Sequence, residues 1–281
     1  MIIDIHVHIC PPEIRKDRNP YLEGEPEFAA IYQDPRAKLV GASELISTMD
    51  EQGVDKSVVF GFPWRKKENF LLNNNYVLEA ARRYPDRLIP FCCLFPEHPE
   101  TGEEIERCLA QGAKGIGELA FYGNGLDFRA LDLLQTPAEL AKKADCPLLL
   151  HTNEPIGHIY PGKSPMNLAQ IYELLKTYPD TKWILAHLGG GLPFYGFMKK
   201  EVTEVLRNCW FDTAAMPFLY NPEVLKTMSQ AVGIEKLLLG TDYPLLPPKR
   251  YYKEIAQSSL DEKEKQAILG ENSNNLFSGR I

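Results

Sequence analysis

Eight short apolar runs recur along the chain, and each is followed by a segment in which apolar residues have helical spacing. The runs cover residues 2–9, 56–62, 87–95, 113–121, 147–152, 182–188, 209–214 and 236–242. They are largely continuous instead of alternating, which is typical of parallel strands that are buried on both faces. The segments with helical spacing include residues 42–54, 69–86, 101–112, 165–180, 222–233, 249–257 and 261–277.

Strands that alternate with helices predict an α/β fold, and eight of them predict a (β/α)₈ TIM barrel rather than an open sheet. No Gly-rich phosphate loop follows the first strand, which argues against a dinucleotide-binding sheet. We expect a distorted barrel with a long Pro- and charge-rich insertion after strand 1, residues 10–41, and extra C-terminal helices. No linker divides the sequence, so we expect a single domain over residues 1–281.

The composition is that of an ordinary globular protein, with 44% hydrophobic and 25% charged residues. A net charge of -7 argues against a nucleic-acid partner and against binding to an anionic membrane. No apolar run approaches the length of a membrane span, and the first strand begins too early to leave a targeting segment. The six cysteines lack a CxxC spacing, which is typical of reduced thiols in a cytoplasmic protein.

The first strand carries two imidazoles in an otherwise apolar segment, "IIDIHVHI". Side chains alternate along a strand, so His6 and His8 are expected to point the same way, with Asp4 in line behind them. Ile5 and Val7 are then expected to pack outward against helices. Asp4 is a candidate for orienting the His6 ring.

Later strands end in further polar side chains: Glu118 on strand 4, His151 on strand 5, His187 on strand 6 and Asp242 on strand 8. Each has a plain structural alternative, such as a hydrogen-bonded histidine or a turn-capping aspartate. A barrel brings its strand ends around one opening, however, and converging imidazoles and carboxylates are costly there without a cation. The set suits a divalent metal such as Zn²⁺, which lowers the pKa of a bound water.

The motifs "DIHVH", "LLLHTNE", "ILAHLGGG" and "LLLGTDYP" follow one another in this order over the whole chain. In this the sequence resembles the amidohydrolase superfamily, in particular its amidohydrolase-related branch of metal-dependent hydrolases and decarboxylases. The resemblance implies that His6, His8, His151 and Asp242 hold a catalytic metal. It also implies that Asp242 takes a proton from the metal-bound water, and that His187 is an acid/base group or a ligand of a second ion.

The resemblance leaves the number of metal ions open. No lysine ends strand 4, so the carbamylated lysine that bridges two ions in some members is absent. Glu118 stands on that strand instead and resembles the bridging glutamate of TatD-like nucleases. We therefore expect one or two Zn²⁺ ions, with Glu118 and His187 as additional candidate ligands.

The loop after strand 5, "HTNEPIGHIYPGKSP", crowds polar side chains into a Gly/Pro-rich segment at the end of the barrel where substrates bind. A turn with solvated polar residues is the alternative. The candidate substrate-binding residues are Asn153, His158, Tyr160 and Lys163 in this loop, and Trp64 and Arg65 after strand 2.

Our leading hypothesis from the sequence is a metal-dependent hydrolase of a small carbonyl compound (amide, lactone or related ester) that uses metal-activated water. The alternative is a non-oxidative decarboxylase of an aromatic or unsaturated carboxylic acid. A TatD-like phosphoesterase and a non-catalytic metal-binding barrel are weaker hypotheses. The expected partner is a small molecule, with Lys163 or Arg65 available to pair a substrate carboxylate. The 10–41 insertion would cover either the pocket or the partner subunit of a homodimer.

Overall fold

Eight parallel strands form the centre of the computed structural model, which describes residues 1–278. The strands are Ile3–His8 (β1), Lys56–Phe60 (β2), Leu88–Cys92 (β3), Gly115–Leu119 (β4), Pro147–Leu150 (β5), Lys182–Leu185 (β6), Cys209–Asp212 (β7) and Leu237–Leu238 (β8). They pair in sequence order. The ring closes where the amide of Ile5 donates to the carbonyl of Leu239 at 2.8 Å. The predicted TIM barrel is confirmed.

Helices surround the barrel and join its strands. They are Pro12–Lys16 (α1), Pro26–Tyr32 (α2), Ala42–Gln52 (α3), Lys67–Arg83 (α4), Thr101–Ala110 (α5), Phe128–Leu133 (α6), Gln135–Lys143 (α7), Leu168–Thr177 (α8), Glu201–Val205 (α9), Met216–Leu219 (α10), Val224–Val232 (α11), Pro248–Gln257 (α12), Glu262–Gln266 (α13) and Asn272–Leu276 (α14). Side-chain caps begin several of them; Asn167, for example, accepts from the amide of Gln170 at the start of α8. Within residues 1–278, none of these helices has the length and apolar character that a membrane crossing requires.

Several strands end earlier than the apolar runs predict, and the site residues lie just beyond those ends. His151 follows β5, His187 follows β6 and Asp242 follows β8. His187 and Asp242 have backbone φ angles of 55° and 54°, in the left-handed region that a strand cannot contain. The chain therefore turns out of the sheet at the residues whose side chains point into the opening.

The strict alternation expected for β1 is interrupted. The pairing of β1 with β2 shifts register between Asp4 and Val7. As a result Ile5 packs in the barrel interior with side chains from β2, β3, β5, β6 and β8, whereas Val7 packs among residues of α3. The expectation that Ile5 faces outward is wrong, and the same expectation for Val7 is confirmed. One irregularity lets both Ile5 and His6 face inward.

The 10–41 insertion contains α1 and α2 and is fastened to the segment that follows β2. The carboxylate of Glu25, buried in this insertion, accepts from the amides of Arg65 and Lys66 at 2.7 and 2.9 Å. Glu27 accepts from the Arg65 guanidinium, with 2.7 Å between Nε and Oε2. These bonds hold the insertion against the segment after β2, and its role as a cover of the pocket or as a dimer contact stays a prediction.

The turn after β6 is a run of left-handed residues, with positive φ from His187 to Gly191. Glycine is required at its centre for two reasons. Gly190 has φ +63°, and a Cβ there would lie 2.3 Å from the carbonyl oxygen of Asn153. The turn therefore depends on close approach of its backbone to the loop after β5.

We expect Gly190→Ala to destabilise the fold more than Gly53→Ala does. Gly53 also has a positive φ, +74°, but a Cβ there would meet nothing within 4 Å. Gly53→Ala should therefore cost only the left-handed penalty, about 1–2 kcal/mol. Gly190→Ala adds a clash with backbone, which costs about 1–3 kcal/mol more.

Urea unfolding of both variants measures this difference directly. Equal losses of unfolding free energy would contradict the close approach of Gly190 to Asn153.

Candidate metal centre

The two imidazoles of β1 each present one free nitrogen to the barrel opening. Nδ1 of His6 donates to Oδ2 of Asp212 at 2.8 Å, and Nδ1 of His8 donates to the carbonyl of Gly61 at 2.9 Å. Because both acceptors are oxygens without a proton, the lone pair of each neutral ring is left on Nε2. Nε2 of His6 is completely buried and has no hydrogen-bond partner among the described residues.

Two carboxylates face these free nitrogens. Oδ1 of Asp242 lies 3.3 Å from Nε2 of His8 and 3.7 Å from Nε2 of His6. Oε2 of Glu118 lies 3.7 Å from both of those nitrogens. We call His6, His8, Glu118 and Asp242 the β1 cluster.

A second group of acceptors lies beside the first and shares Glu118 with it. Nδ1 of His151 lies 3.1 Å from Oε1 of Glu118 and 3.1 Å from Nε2 of His187. The other nitrogen of each ring is used elsewhere: His151 Nε2 donates to the carbonyl of Gly162, and His187 Nδ1 donates to that of Ala214. We call Glu118, His151 and His187 the β5/β6 cluster.

The ionisable groups of the site shift one another's pKa values. Burial alone would raise the pKa of Glu118, but the imidazoles of His6 and His151 hold that pKa well below its usual range. Burial would likewise lower the pKa of His6, but Glu118 and Asp212 raise it well above the usual value. Burial also opposes ionisation of Asp242, yet the nearby imidazoles of His8 and His6 lower its pKa. The buried carboxylates thus require positive charge at their centre.

In contrast to the pKa of His6, that of His187 lies below its usual value. Burial lowers it, and so does the neighbouring ring of His151. The β5/β6 cluster therefore favours a neutral imidazole at this position.

This donor set fits a divalent metal. Imidazole nitrogens and carboxylate oxygens are the ligands that Zn²⁺ and related ions accept, and the unpartnered Nε2 of His6 points into the site. The structure thus brings together all six metal and acid/base candidates chosen from the sequence, namely His6, His8, Glu118, His151, His187 and Asp242.

A third group with metal-ligand side chains, Cys92, Glu104 and Cys108, lies away from the opening. Its acceptors are already occupied: Glu104 accepts from the Arg107 guanidinium at 2.7 and 2.8 Å, and from Asn74 at 2.8 Å. The Cys108 thiol also donates to Glu104, at 3.3 Å. This group is a satisfied hydrogen-bond network.

Asp212 on β7 contacts the site and was not singled out by the sequence analysis. It is fully buried, and one of its oxygens holds the ring of His6. The signal was a lone carboxylate in the apolar segment "CWFDTA", which is costly unless partnered. The orienting role was expected for Asp4, but the carboxylate of Asp4 contacts the backbone amide of His6, at 3.2 Å, and Thr241 instead of the ring.

The polar residues of the 151–165 loop contact one another. The amide of Asn153 is buried and bonds to the backbone of Ser164 in both directions, at 2.8 and 3.1 Å. Glu154 accepts from Tyr160 at 3.0 Å and from Lys163 at 2.8 Å. His158 is exposed. These contacts fix the loop, and a role in substrate binding stays a prediction for its residues.

Arg65 and Trp64, the two substrate-binding candidates after β2, have different surroundings. Arg65 pairs with Glu27 and Glu97, and its guanidinium lies 3.9 Å above the ring of Phe95. Its charge is therefore already compensated. Trp64 is completely buried and lines a narrow cavity of about 10 Å³, the size of one water molecule, whose lining also includes His8.

The walls of this cavity are largely apolar and aromatic. The 10–41 insertion contributes Phe28 and Tyr32, and the segment after β2 contributes Phe62 and Trp64. The Phe28 ring packs against that of Trp64, with 4.3 Å between the ring centroids, and lies edge-on to Phe62 at 5.4 Å. An aromatic-walled cavity thus adjoins the β1 cluster.

Comparison with known proteins gives the same superfamily. The family model described as "Amidohydrolase" matches residues 3–278. The 6-methylsalicylic acid decarboxylase of Penicillium expansum is 24% identical, over 95% of this chain and 93% of its own. The crystal structure of 5-carboxyvanillate decarboxylase from Sphingomonas paucimobilis has a TM-score of 0.76 at 16% identity, covering 98% of both chains.

A third similar structure contains a metal. The dihydroxybenzoic acid decarboxylase from Polaromonas sp. JS666, with bound manganese and the inhibitor 2-nitroresorcinol, has a TM-score of 0.72 at 18% identity. It covers 98% of this chain and 96% of that chain.

These comparisons correct the leading functional hypothesis. Hydrolysis of an amide, lactone or ester was expected, but the relatives described above are decarboxylases of aromatic acids. That activity was the alternative from the sequence. The superfamily expected from the four motifs is confirmed, because the matching model spans nearly the whole chain. The chain belongs to the amidohydrolase family and is an enzyme of that superfamily.

Proposed function

We propose that the protein is a metal-dependent, non-oxidative decarboxylase of an aromatic carboxylic acid. The observation that carries the proposal is the set of imidazole and carboxylate donors at the barrel opening, because a divalent metal held there would bind a substrate carboxylate. Aromatic side chains adjoin this site on the side of His8. The activities named for the relatives support the same class of substrate.

The side chains around the opening support binding of the substrate carboxylate at the metal. Arg65 and Lys163, the two cations considered from the sequence, are each paired with a glutamate. A substrate carboxylate would therefore find its positive charge at the β1 cluster. When bound, a divalent metal would supply that charge and orient the carboxylate beside the aromatic side chains near His8.

The reaction replaces the carbon–carbon bond to the carboxylate by a carbon–hydrogen bond, so a proton must reach the ring carbon. His187 is placed for this task because its Nδ1 is fixed to the carbonyl of Ala214 and its Nε2 faces the site. The backbone of the left-handed turn holds this ring in one orientation. We propose His187 Nε2 as the atom that carries the proton.

For the metal we propose His6, His8, His151 and Asp242 as ligands, with Glu118 between the β1 and β5/β6 clusters as the group that could join two ions. Zn²⁺ is the ion expected from the imidazole ligands. The manganese in a structural neighbour makes Mn²⁺ the first alternative.

Purified protein should contain about one or two divalent ions per chain, the range of one- and two-metal sites. His151→Asn should lower this content because it removes a ligand from the β5/β6 cluster. His158→Asn is the matched control, since His158 lies exposed in the same loop region. Elemental analysis by mass spectrometry measures both. An equal metal content in the two variants would contradict the assigned ligands.

The metal-loaded protein should release CO₂ from a monocyclic aromatic carboxylic acid. A panel of such acids, assayed for CO₂ and for loss of the acid's ultraviolet absorbance, tests this. Lactones and amides in the same panel serve as the comparison. Turnover of those compounds without CO₂ release from any acid would overturn the proposal.

His187→Asn should retain the metal but lose turnover by about 10²–10⁴-fold, the usual contribution of a general acid or base. Metal content and the steady-state rate of CO₂ release are measured on the same sample. A variant with normal metal content and normal rate would remove His187 from the proposed proton transfer.

A further inference from the structure

One buried carboxylate contacts both halves of the site. Oδ2 of Asp212 accepts from the ring of His6 at 2.8 Å. Oδ1 of the same residue accepts from the backbone amide of His187 at 3.0 Å and from that of Ala214 at 2.9 Å. Asp212 is completely shielded from solvent, as is His6.

We propose that Asp212 is a positioning residue that sets the metal-facing nitrogen of His6 and, at the same time, holds the turn that aims His187. The inference rests on the proposed metal site, but it does not depend on which reaction the metal supports.

The first half of the argument concerns His6. A carboxylate can only accept hydrogen bonds, so Asp212 keeps a proton on Nδ1 of His6. The lone pair of the neutral ring therefore stays on Nε2, a buried atom that has no hydrogen-bond partner within residues 1–278 and faces Glu118 and Asp242. A carboxylate behind a metal-binding imidazole also makes that imidazole a stronger ligand.

The second half concerns the turn after β6. His187 has φ 55°, a conformation that a non-glycine residue adopts only when its surroundings hold it there. Oδ1 of Asp212 holds the His187 amide, and the carbonyl of Ala214 holds Nδ1 of its ring. Because Oδ1 also binds the amide of Ala214, the acceptor of the His187 ring is fixed by the same carboxylate.

Asp4 provides the contrast within the same part of the barrel. It is a second buried aspartate, and it too accepts from a backbone amide of the site, that of His6. Its other bonds go to the amide and hydroxyl of Thr241, at 3.0 and 2.5 Å. Because its carboxylate bonds to no imidazole ring, it cannot set which nitrogen of His6 carries a proton.

Asp212→Asn separates the two halves of the proposal. The amide oxygen of the new side chain can still accept from the two backbone amides, which places its NH₂ group against Nδ1 of His6. Two donors would then face each other, so the proton of His6 must move to Nε2 and block the metal-facing atom. Mn²⁺ affinity, measured by calorimetric titration of the metal-stripped protein, should fall about 10–100-fold.

Asp4→Asn is the matched control and should leave Mn²⁺ affinity unchanged. An Asp212→Asn variant with wild-type affinity overturns the proposal. So does an equal loss of affinity in both variants, because that would be the effect of removing any buried carboxylate. These readouts do not involve turnover, so a failed decarboxylase assay leaves them unaffected.

Asp212→Ala tests the turn. It removes the acceptor of two buried amides, so the amides of residues 187–191 should exchange hydrogen faster than in the wild type, whereas Asp212→Asn should keep their protection. Equal protection in the alanine variant overturns the second half. If neither variant folds, a ¹H–¹⁵N spectrum of Zn²⁺-loaded wild-type protein decides the first half: a proton on Nδ1 of His6 is expected, and one on Nε2 overturns it.

Discussion

The structure depends on one electrostatic constraint: lone pairs from separate strands converge on a buried point and need a positive charge between them. Glu118 is central to this, because one of its oxygens faces the imidazoles of β1 and the other faces His151. Replacing only the carboxylates, or only the imidazoles, would leave buried charge of the other sign without compensation. The closed barrel makes the arrangement possible, since its strands and the turns directly after them hold the donors in place.

The sequence was sufficient for the architecture and for the residues that point into the opening. Continuous apolar runs identify buried parallel strands, and polar residues at their ends stand out against that background. The contacts that the sequence did not predict join distant segments of the chain. Asp212 reaches His6 from β7, and Glu27 of α2 pairs with Arg65. Periodicity along one strand carries no information about either contact.

Local irregularities account for the other differences. The register shift in β1 that turns Ile5 inward arises from pairing with β2, and the residue types in "DIHVH" do not predict it. The type of reaction also depends on the side chains around the metal-type donors. The superfamily includes both hydrolases and decarboxylases, so the set of metal-type donors alone does not specify the reaction.

The bond from His8 to the carbonyl of Gly61 links a candidate metal ligand to the aromatic packing beside it. Phe62 and Trp64 follow Gly61 closely, so His8 and these two side chains depend on one short piece of backbone. Phe28 of α2 packs on Trp64, with 4.3 Å between the ring centroids. Burial and the nearby carboxylates of Asp242 and Glu118 raise the pKa of the Tyr32 hydroxyl, also on α2. Substitutions in the insertion and substitutions after β2 will therefore both change the surroundings of the metal ligands.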